Sequence, residues 1–298
     1  MKGIVLAGGS GTRLYPITEG ISKQLLSVYD KPMVYYPISV LMLAGIRDIL
    51  IITTKEDQEQ FKRVLGTGSK YGVNFEYVVQ PSPDGLAQAF ILGEDFINNE
   101  PCAMVLGDNI FYGNGFVKML NNARENAYND ETTIFGTEVK DPNRFGIMEF
   151  DSNNNVIGVE EKPEQPKSNF AITGLYFYPS GVSTMAKKVK PSKRNELEIT
   201  SLNDLYLKQR RLKAELLGGG FNWFDAGTHE SLLDTACTIR AIEKNTGKIV
   251  SCLEQIGYKN GWLTKEEVLA RAELMKKNEY GTYLKEYVEK EKTLIKKY

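Results

Sequence analysis

Histidine and cysteine are scarce in this chain of 298 residues, with one His and three Cys. Cys102, Cys237 and Cys252 stand far apart with no CxxC pair, which argues against a disulfide framework, a thiolate metal site and a redox dithiol. His229 is alone at the start of a helical pattern, and no Ser or Cys is matched to a base, so an activated protein nucleophile is missing. Long apolar runs are missing as well. The longest aliphatic stretch, Ile49 to Ile52, is far too short to cross a bilayer. No charged leader with a cleavage site precedes the apolar pattern at Gly3-Ile4-Val5-Leu6. The expectation is a cytoplasmic protein with no membrane partner. Net charge is nearly absent too: 37 basic and 38 acidic residues leave −1. No global field therefore draws the chain to nucleic acid, and a phosphate ligand must be caught by local charges.

What remains is the composition of an ordinary globular protein, 42% hydrophobic and 25% charged, long enough for one large core or two modest ones. Short β-branched runs at Gly3 to Leu6, Ile49 to Thr53, Phe75 to Val79 and Ala103 to Leu106 alternate with helical patterns near Val34 to Ala44, Asp57 to Leu65 and Leu86 to Ile97. That order predicts a parallel sheet covered by helices. After Asp108 the pattern changes to strands at Thr132 to Glu138, Gly146 to Phe150, Val156 to Glu160 and Ile172 to Tyr178, separated by Asn- and Pro-rich turns. This reads as a second lobe on the same sheet. From Thr228, a fitting N-cap, the chain is largely helical and reads as an oligomer contact or a lid. The predicted architecture is a Rossmann-like α/β fold with a mixed, mainly parallel sheet over residues 1–227, split near residue 110, and a helical extension over 228–298.

The strongest local signal is Leu6-Ala7-Gly8-Gly9-Ser10-Gly11-Thr12-Arg13-Leu14, where glycines follow a strand and precede a cation. Backbone N–H groups in such a loop can hold phosphate oxygens, although a glycine cluster is equally a tight turn. Leu14 occupies the third glycine position of a dinucleotide fingerprint, and the GxxxxGK[ST] of a Walker loop is absent. Ser22-Lys23-Gln24-Leu25-Leu26 then offers a second cation that could share a triphosphate with Arg13. Gln80 and Gly85 follow the third strand, where open α/β sheets bind ligands, and a glutamine can read a base edge. Asp108 directly follows an apolar strand, and Asp225 stands far away in Trp223-Phe224-Asp225-Ala226-Gly227. Two such carboxylates converging at strand ends suit Mg²⁺, which takes oxygen ligands and only one or two carboxylates beside substrate phosphates. Each alone could also cap a turn.

These segments resemble the bacterial and archaeal nucleoside-diphosphate-sugar pyrophosphorylases. The likeness runs through AGGSGTRLYP (7–16), SKQLL (22–26), DKPM (30–33), QPSPDGLAQAF (80–90), LGDNIFYG (106–113), RFGIMEF (144–150), EEKP (160–163), ITGLYFY (172–178), RNELEIT (194–200) and WFDAGTHESL (223–232). The branch that couples glucose 1-phosphate to dTTP is the most similar. The resemblance implies a homotetramer in which Leu6, Gly8, Gly9, Gly11, Thr12, Arg13, Gln24, Gln80, Gly85 and Asp108 bind the nucleotide, Gln80 and Gly85 at the pyrimidine. It implies a sugar-binding lobe with Gly146, Glu161, Lys162, Ile172, Tyr176 and Arg194 at the sugar phosphate. It also makes Asp108 and Asp225 the Mg²⁺ ligands, with Arg13, Lys23 and Lys162 as catalytic cations.

The missing nucleophile fits this chemistry, because the sugar phosphate itself attacks and the protein positions anions and neutralises charge. Phe145 departs from the family's usual tyrosine, with ring packing expected to survive. Tyr112-Gly113-Asn114-Gly115 departs from the His- and Asp-containing version of longer relatives, which carry a second nucleotide site. Tyr112, Gly115, Gly219 and Glu254 are the candidate regulatory residues. The rival readings are a uridylyltransferase on the same fold, a catalytically silent sugar-nucleotide sensor and a nicotinamide-dependent dehydrogenase, the last disfavoured by Leu14.

Overall fold

The structure, a computed structural model, describes residues 1–9 and 11–295. Its strands are β1 (Lys2–Ala7), β2 (Ser27–Val28), β3 (Lys31–Pro32), β4 (Asp48–Thr53), β5 (Asn74–Val79), β6 (Cys102–Leu106) and β7 (Asn109–Tyr112) in the first part of the chain. There follow β8 (Thr132–Glu138), β9 (Gly146–Phe150), β10 (Val156–Glu161), β11 (Phe170–Tyr178), β12 (Leu212–Leu216) and β13 (Asn222–Asp225). Nine of them form one mixed sheet, in the order β10-β9-β11-β6-β1-β4-β5, with β8 beside β11 and β12 beside β8. The β6-β1-β4-β5 half is wholly parallel. Antiparallel β11 joins it to the second lobe, so the two predicted lobes share a single sheet.

Alternation along the buried strands builds two cores. Val5, Ile49 and Ile51 face one side with the helix Tyr35–Leu43 and the helix Phe116–Tyr128. Ile4, Leu6, Leu50 and Ile52 face the other with Phe90, Leu202 and Tyr206 from the helices Gln88–Leu92 and Ile199–Lys208. Successive side chains of a strand point to opposite faces, so a continuous apolar run supplies both layers.

Several elements differ from expectation. The predicted helix Leu86 to Ile97 breaks at Gly93 into Gln88–Leu92 and Glu94–Ile97. A Cβ on Gly93 would meet Leu50 Cδ2 at 3.0 Å and the Ala89 carbonyl at 3.1 Å. The strands β2, β3, β7, β12 and β13 fall where none was predicted. From Thr228 onward the chain is helical as expected, over His229–Thr246, Leu253–Lys259, Lys265–Leu274 and Glu279–Ile295. Thr228 closes a reciprocal cap with Ser231, which satisfies amide donors that a helix start leaves unpaired. Among the described residues no helix is long and apolar enough to cross a membrane.

Candidate active site

Because β1, β4, β5 and β6 run parallel, their carboxyl ends open on one edge of the sheet, where ligands of open α/β sheets bind. The glycine loop leaves β1 there, Gln80 follows β5 and Asp108 follows β6. The Gly107 N–H donates to the Leu6 carbonyl at 2.9 Å, which ties the aspartate loop to β1. Asp225 arrives from elsewhere. It ends β13, which pairs antiparallel with β7 so that Asp225 lies opposite Asn109. The two distant carboxylates are thus brought together by a two-stranded ribbon.

Cations surround this pair. Lys23 Nζ donates to Asp108 Oδ2, with Lys23 buried and Asp108 partly buried. Asn109 Nδ2 donates to Asp108 Oδ1 at 3.0 Å. Burial pushes the Asp108 carboxyl up, but the Lys23 charge and these hydrogen bonds outweigh it and hold the group below the ordinary aspartate range. Asp225 goes the other way: burial, then the Asp108 charge, raise it, and Lys23, Arg13 and Arg144 only partly offset this. A Cβ on Gly227 would meet Asp225 Oδ1 at 3.1 Å and Arg13 Nη2 at 3.2 Å. Arg13 therefore faces the same carboxylate.

A cleft of about 280 Å³ continues from this pair along the mouth of the sheet. Arg13, Asp108, Asp225, Gly146, Glu161, Lys162, Ile172, Tyr176 and Arg194 all line it. Six residues named as one sugar-phosphate set thus do converge, although they come from β9, β10, β11 and the approach to a helix. A Cβ on Gly146 would come within 2.9 Å of Thr200 Oγ1 and 3.2 Å of Glu161 Oε2, so only glycine leaves the Glu161 carboxylate open to the cleft. Thr200 Oγ1 donates to that carboxylate. Lys162 stands just past β10 with φ +44°. Its N–H donates to the Phe145 carbonyl at 3.0 Å, and its Nζ lies 3.9 Å from Glu161 Oε1.

Of the residues expected at a nucleotide, Leu6 lies in β1 and the others in the neighbouring loops and turns. A Cβ on Gly8 would fall 2.1 Å from Gln80 Oε1, so the Gln80 amide rests directly on the glycine loop. Gln80 Nε2 donates to Gln88 Oε1 at 2.8 Å, and Gln88 Nε2 donates to Asp84 Oδ2 at 2.8 Å. Gly85 has φ +109°, and a Cβ there would meet the Leu197 carbonyl oxygen at 2.4 Å. Gly11, at φ +64°, leads into the turn Thr12–Leu14, and space is open around Gly9. Gln24 is buried, accepts from Ser22 Oγ at 2.7 Å and packs under Gly107. Ser10 lies outside the described residues.

Sequence reasoning missed several contributors. Asn109 Oδ1 accepts from Trp223 Nε1 at 2.7 Å and from the Gly174 N–H at 3.0 Å, which locks ribbon to sheet beside Asp108. Arg144, Thr200 and Glu198 also line the cleft. Only their presence inside the quoted motifs marked them. Phe145 keeps its ring packing, edge-on to Trp223 with centroids 5.3 Å apart. The four regulatory candidates do not converge. Tyr112 and Gly115 line a separate cavity of about 390 Å³ with Lys118 and Gln255, but Gly219 and Glu254 line no part of it. Glu254 is instead buried against Tyr280 Oη at 2.7 Å and Arg271 Nη2 at 3.3 Å, and Gly219 sits in an exposed turn.

Residues 2–242 match the nucleotidyl transferase family model. The chain belongs to the nucleotidyl transferase family. Among curated proteins it is 56% identical to the glucose-1-phosphate thymidylyltransferase of Neisseria gonorrhoeae over 95% of this chain and 98% of that one. Among solved structures, one from Bacillus anthracis, described as a glucose-1-phosphate thymidylyltransferase and crystallised with sucrose, is 42% identical with a TM-score of 0.73. It covers 80% of this chain and 95% of its own. A UDP-glucose pyrophosphorylase complexed with UDP-glucose is 25% identical, with a TM-score of 0.70 over 82% of this chain and 98% of its own. Within this nucleotidyl transferase fold the cleft stands at the mouth of the sheet, where its cations and its carboxylates meet.

Proposed function

We propose that the chain joins glucose 1-phosphate to dTTP, releasing pyrophosphate and forming dTDP-glucose. The carrying observation is a cleft in which the carboxylates Asp108 and Asp225 stand with Arg13, beside Lys23, and share the lining with the hydroxyl acceptor Glu161, while the Gln80 amide rests on the adjoining glycine loop. Together with the activity named for the relatives, this arrangement supports a base at Gln80, the transferred phosphate at the carboxylates and the sugar at Glu161.

An oxygen of the sugar phosphate attacks the α-phosphorus of dTTP, and the bond from that phosphorus to the oxygen bridging to the β-phosphorus breaks as pyrophosphate leaves. Arg13 and Lys23 face the leaving pyrophosphate and offset its growing charge. Lys162 and Arg194 hold the attacking phosphate and reduce repulsion between the two anions. Glu161 accepts hydroxyl hydrogens of the sugar, while Gly146, Ile172 and Tyr176 shape its pocket. Gln80 and Gly85 receive the thymine edge, and Leu6 at the end of β1 stands with Gly8, Gly9, Gly11, Thr12 and Gln24 around the phosphates.

The donor set fits Mg²⁺. Asp108 and Asp225 offer oxygen only, and among the described residues no group of three or more His, Cys, Asp or Glu is gathered as a protein-only metal cage. Two carboxylates plus substrate phosphates are the ligation Mg²⁺ favours. Bound there, the ion supplies charge neutralisation on the phosphate oxygens. The cavity at Tyr112 and Gly115 is the place for a second nucleotide, and a homotetramer is the expected assembly.

The test is pyrophosphate release with glucose 1-phosphate and Mg²⁺, comparing dTTP, UTP, GTP and ATP. Preference for dTTP is expected. Equal use of UTP would widen the assignment to both pyrimidines, because a pocket discriminates one methyl by only about 1–3 kcal/mol. Nucleotide binding without release from any of the four would favour a sensor.

A further inference from the structure

The Arg194 guanidinium is held from behind. Its Nε donates to Glu198 Oε1 at 3.1 Å, and its Nη2 lies 2.9 Å from each Glu198 oxygen. Glu198 is buried, and Ser192 Oγ donates to its Oε1 at 2.7 Å. The remaining carboxylates near Arg194 stand farther off, Glu196 at 3.4 Å and Glu161 at 3.6 Å. Among the described residues Arg194 Nη1 donates to no protein group, so its two N–H bonds remain for an anion in the cleft. A guanidinium presents five donors in a rigid fork, and a carboxylate that takes one edge fixes the direction of the others.

The segment carrying Glu198 is itself anchored on both sides of Glu198 along the chain. Next to it, the Leu197 N–H donates to the Asp84 carbonyl at 2.6 Å, and the Leu197 carbonyl accepts from the Ala87 N–H at 3.0 Å. Two residues beyond it, Thr200 donates to Glu161. Neither anchor leaves the Glu198 backbone free to drift.

We propose that Glu198 is a positioning residue for the sugar phosphate: it acts through Arg194, holding the guanidinium fork so that its free edge faces the phosphate. The proposal rests on the reading of Arg194 as a sugar-phosphate ligand. A shorter or uncharged partner would leave Arg194 free to swing toward Glu196 or Glu161, and the pre-set geometry would be lost.

The test is a double-mutant cycle on the full chain, with Glu198→Gln, Arg194→Ala and both together, read as separate KM values for glucose 1-phosphate and dTTP. Glu198→Gln is expected to raise KM for glucose 1-phosphate about tenfold and KM for dTTP by less than about twofold, with no further rise when added to Arg194→Ala. Equal rises in both KM values, or full additivity with Arg194→Ala, would overturn the proposal and leave Glu198 a structural residue. If Arg194→Ala alone leaves KM for glucose 1-phosphate unchanged, the underlying reading of Arg194 fails and the proposal falls with it. Should Glu198→Gln not fold, Glu198→Asp keeps the charge but shortens its reach, and the same selective rise in KM is expected. Its absence in a folded Glu198→Asp protein would overturn the proposal equally.

Discussion

The Ala226 N–H donates to the Asp108 carbonyl at 3.2 Å, and so the backbone of the β7–β13 ribbon sets Asp225 beside Asp108. Neither backbone depends on a contact between the carboxylates for its place, because the ribbon pairing and the Ala226 N–H bond hold them. Replacing one should therefore remove charge without moving its partner. Asp108→Asn and Asp225→Asn are each expected to lower kcat by about a hundredfold or more, the range seen when a group acting on transition-state charge is removed. Far-UV circular dichroism should stay unchanged. Turnover close to that of the parent protein in either variant would dissolve the proposed metal pair.

Gly8 and Gly85 look alike in sequence but should fail differently. At Gly8 the obstacle to a Cβ is Gln80 Oε1, the far end of a side chain that can swing aside. Gly8→Ala should keep the fold but displace the Gln80 amide from Gln88, raising KM for dTTP and sparing that for glucose 1-phosphate. At Gly85 the obstacle is the Leu197 backbone, and φ is +109°. Neither can yield cheaply, so Gly85→Ala should cost on the order of 1–3 kcal/mol in stability. Urea denaturation of the two variants, compared with their KM values, separates the two outcomes.

The parallel half of the sheet was legible because β1, β4 and β6 are buried on both faces and read as continuous apolar runs. The ribbon was not. Asn109–Tyr112 and Asn222–Asp225 are four residues each and pair only across a long stretch of intervening chain, so no local periodicity announces them. Asp108 and Asp225 were named from their motifs, but their convergence is a tertiary fact. Glu198 shows the same limit: its spacing from Arg194 is local, yet burial of its carboxylate is set by the surrounding lobe. Glu254 is the converse case, a conspicuous acid absorbed by Arg271 and Tyr280.

Acid sensitivity offers a check away from the cleft. Hydrogen bonds from Asn74 and Lys2 lower the Asp48 carboxyl below its ordinary 3.8. The sign follows from linkage: stabilisation is fully present above the unfolded value and is lost as pH falls through the lower, folded one. The Asp48 side chain is 42% exposed, so solvent screening keeps the effect below about 1 kcal/mol. Asp48→Asn should be slightly less stable than the parent near pH 7, and the gap should close below the folded value. A gap that widens as pH falls would contradict the assignment.

Lys162 combines a charge with an unfavourable backbone, and two substitutions part them. Its φ of +44° disfavours any residue with a Cβ, at a cost of about 1–2 kcal/mol. Lys162→Ala keeps that conformational cost and loses the ammonium. Lys162→Gly loses the ammonium and relieves the cost, although glycine's greater unfolded-state freedom returns about 0.5–1 kcal/mol of it. If the ammonium holds the sugar phosphate, both variants should raise KM for glucose 1-phosphate far more than KM for dTTP, and by similar factors, while thermal stability is equal or higher in the glycine variant. A kinetic defect in Lys162→Ala that Lys162→Gly repairs would mean that the lysine matters through the turn at the end of β10. An equal rise in both KM values would instead move its charge to the nucleotide side of the cleft.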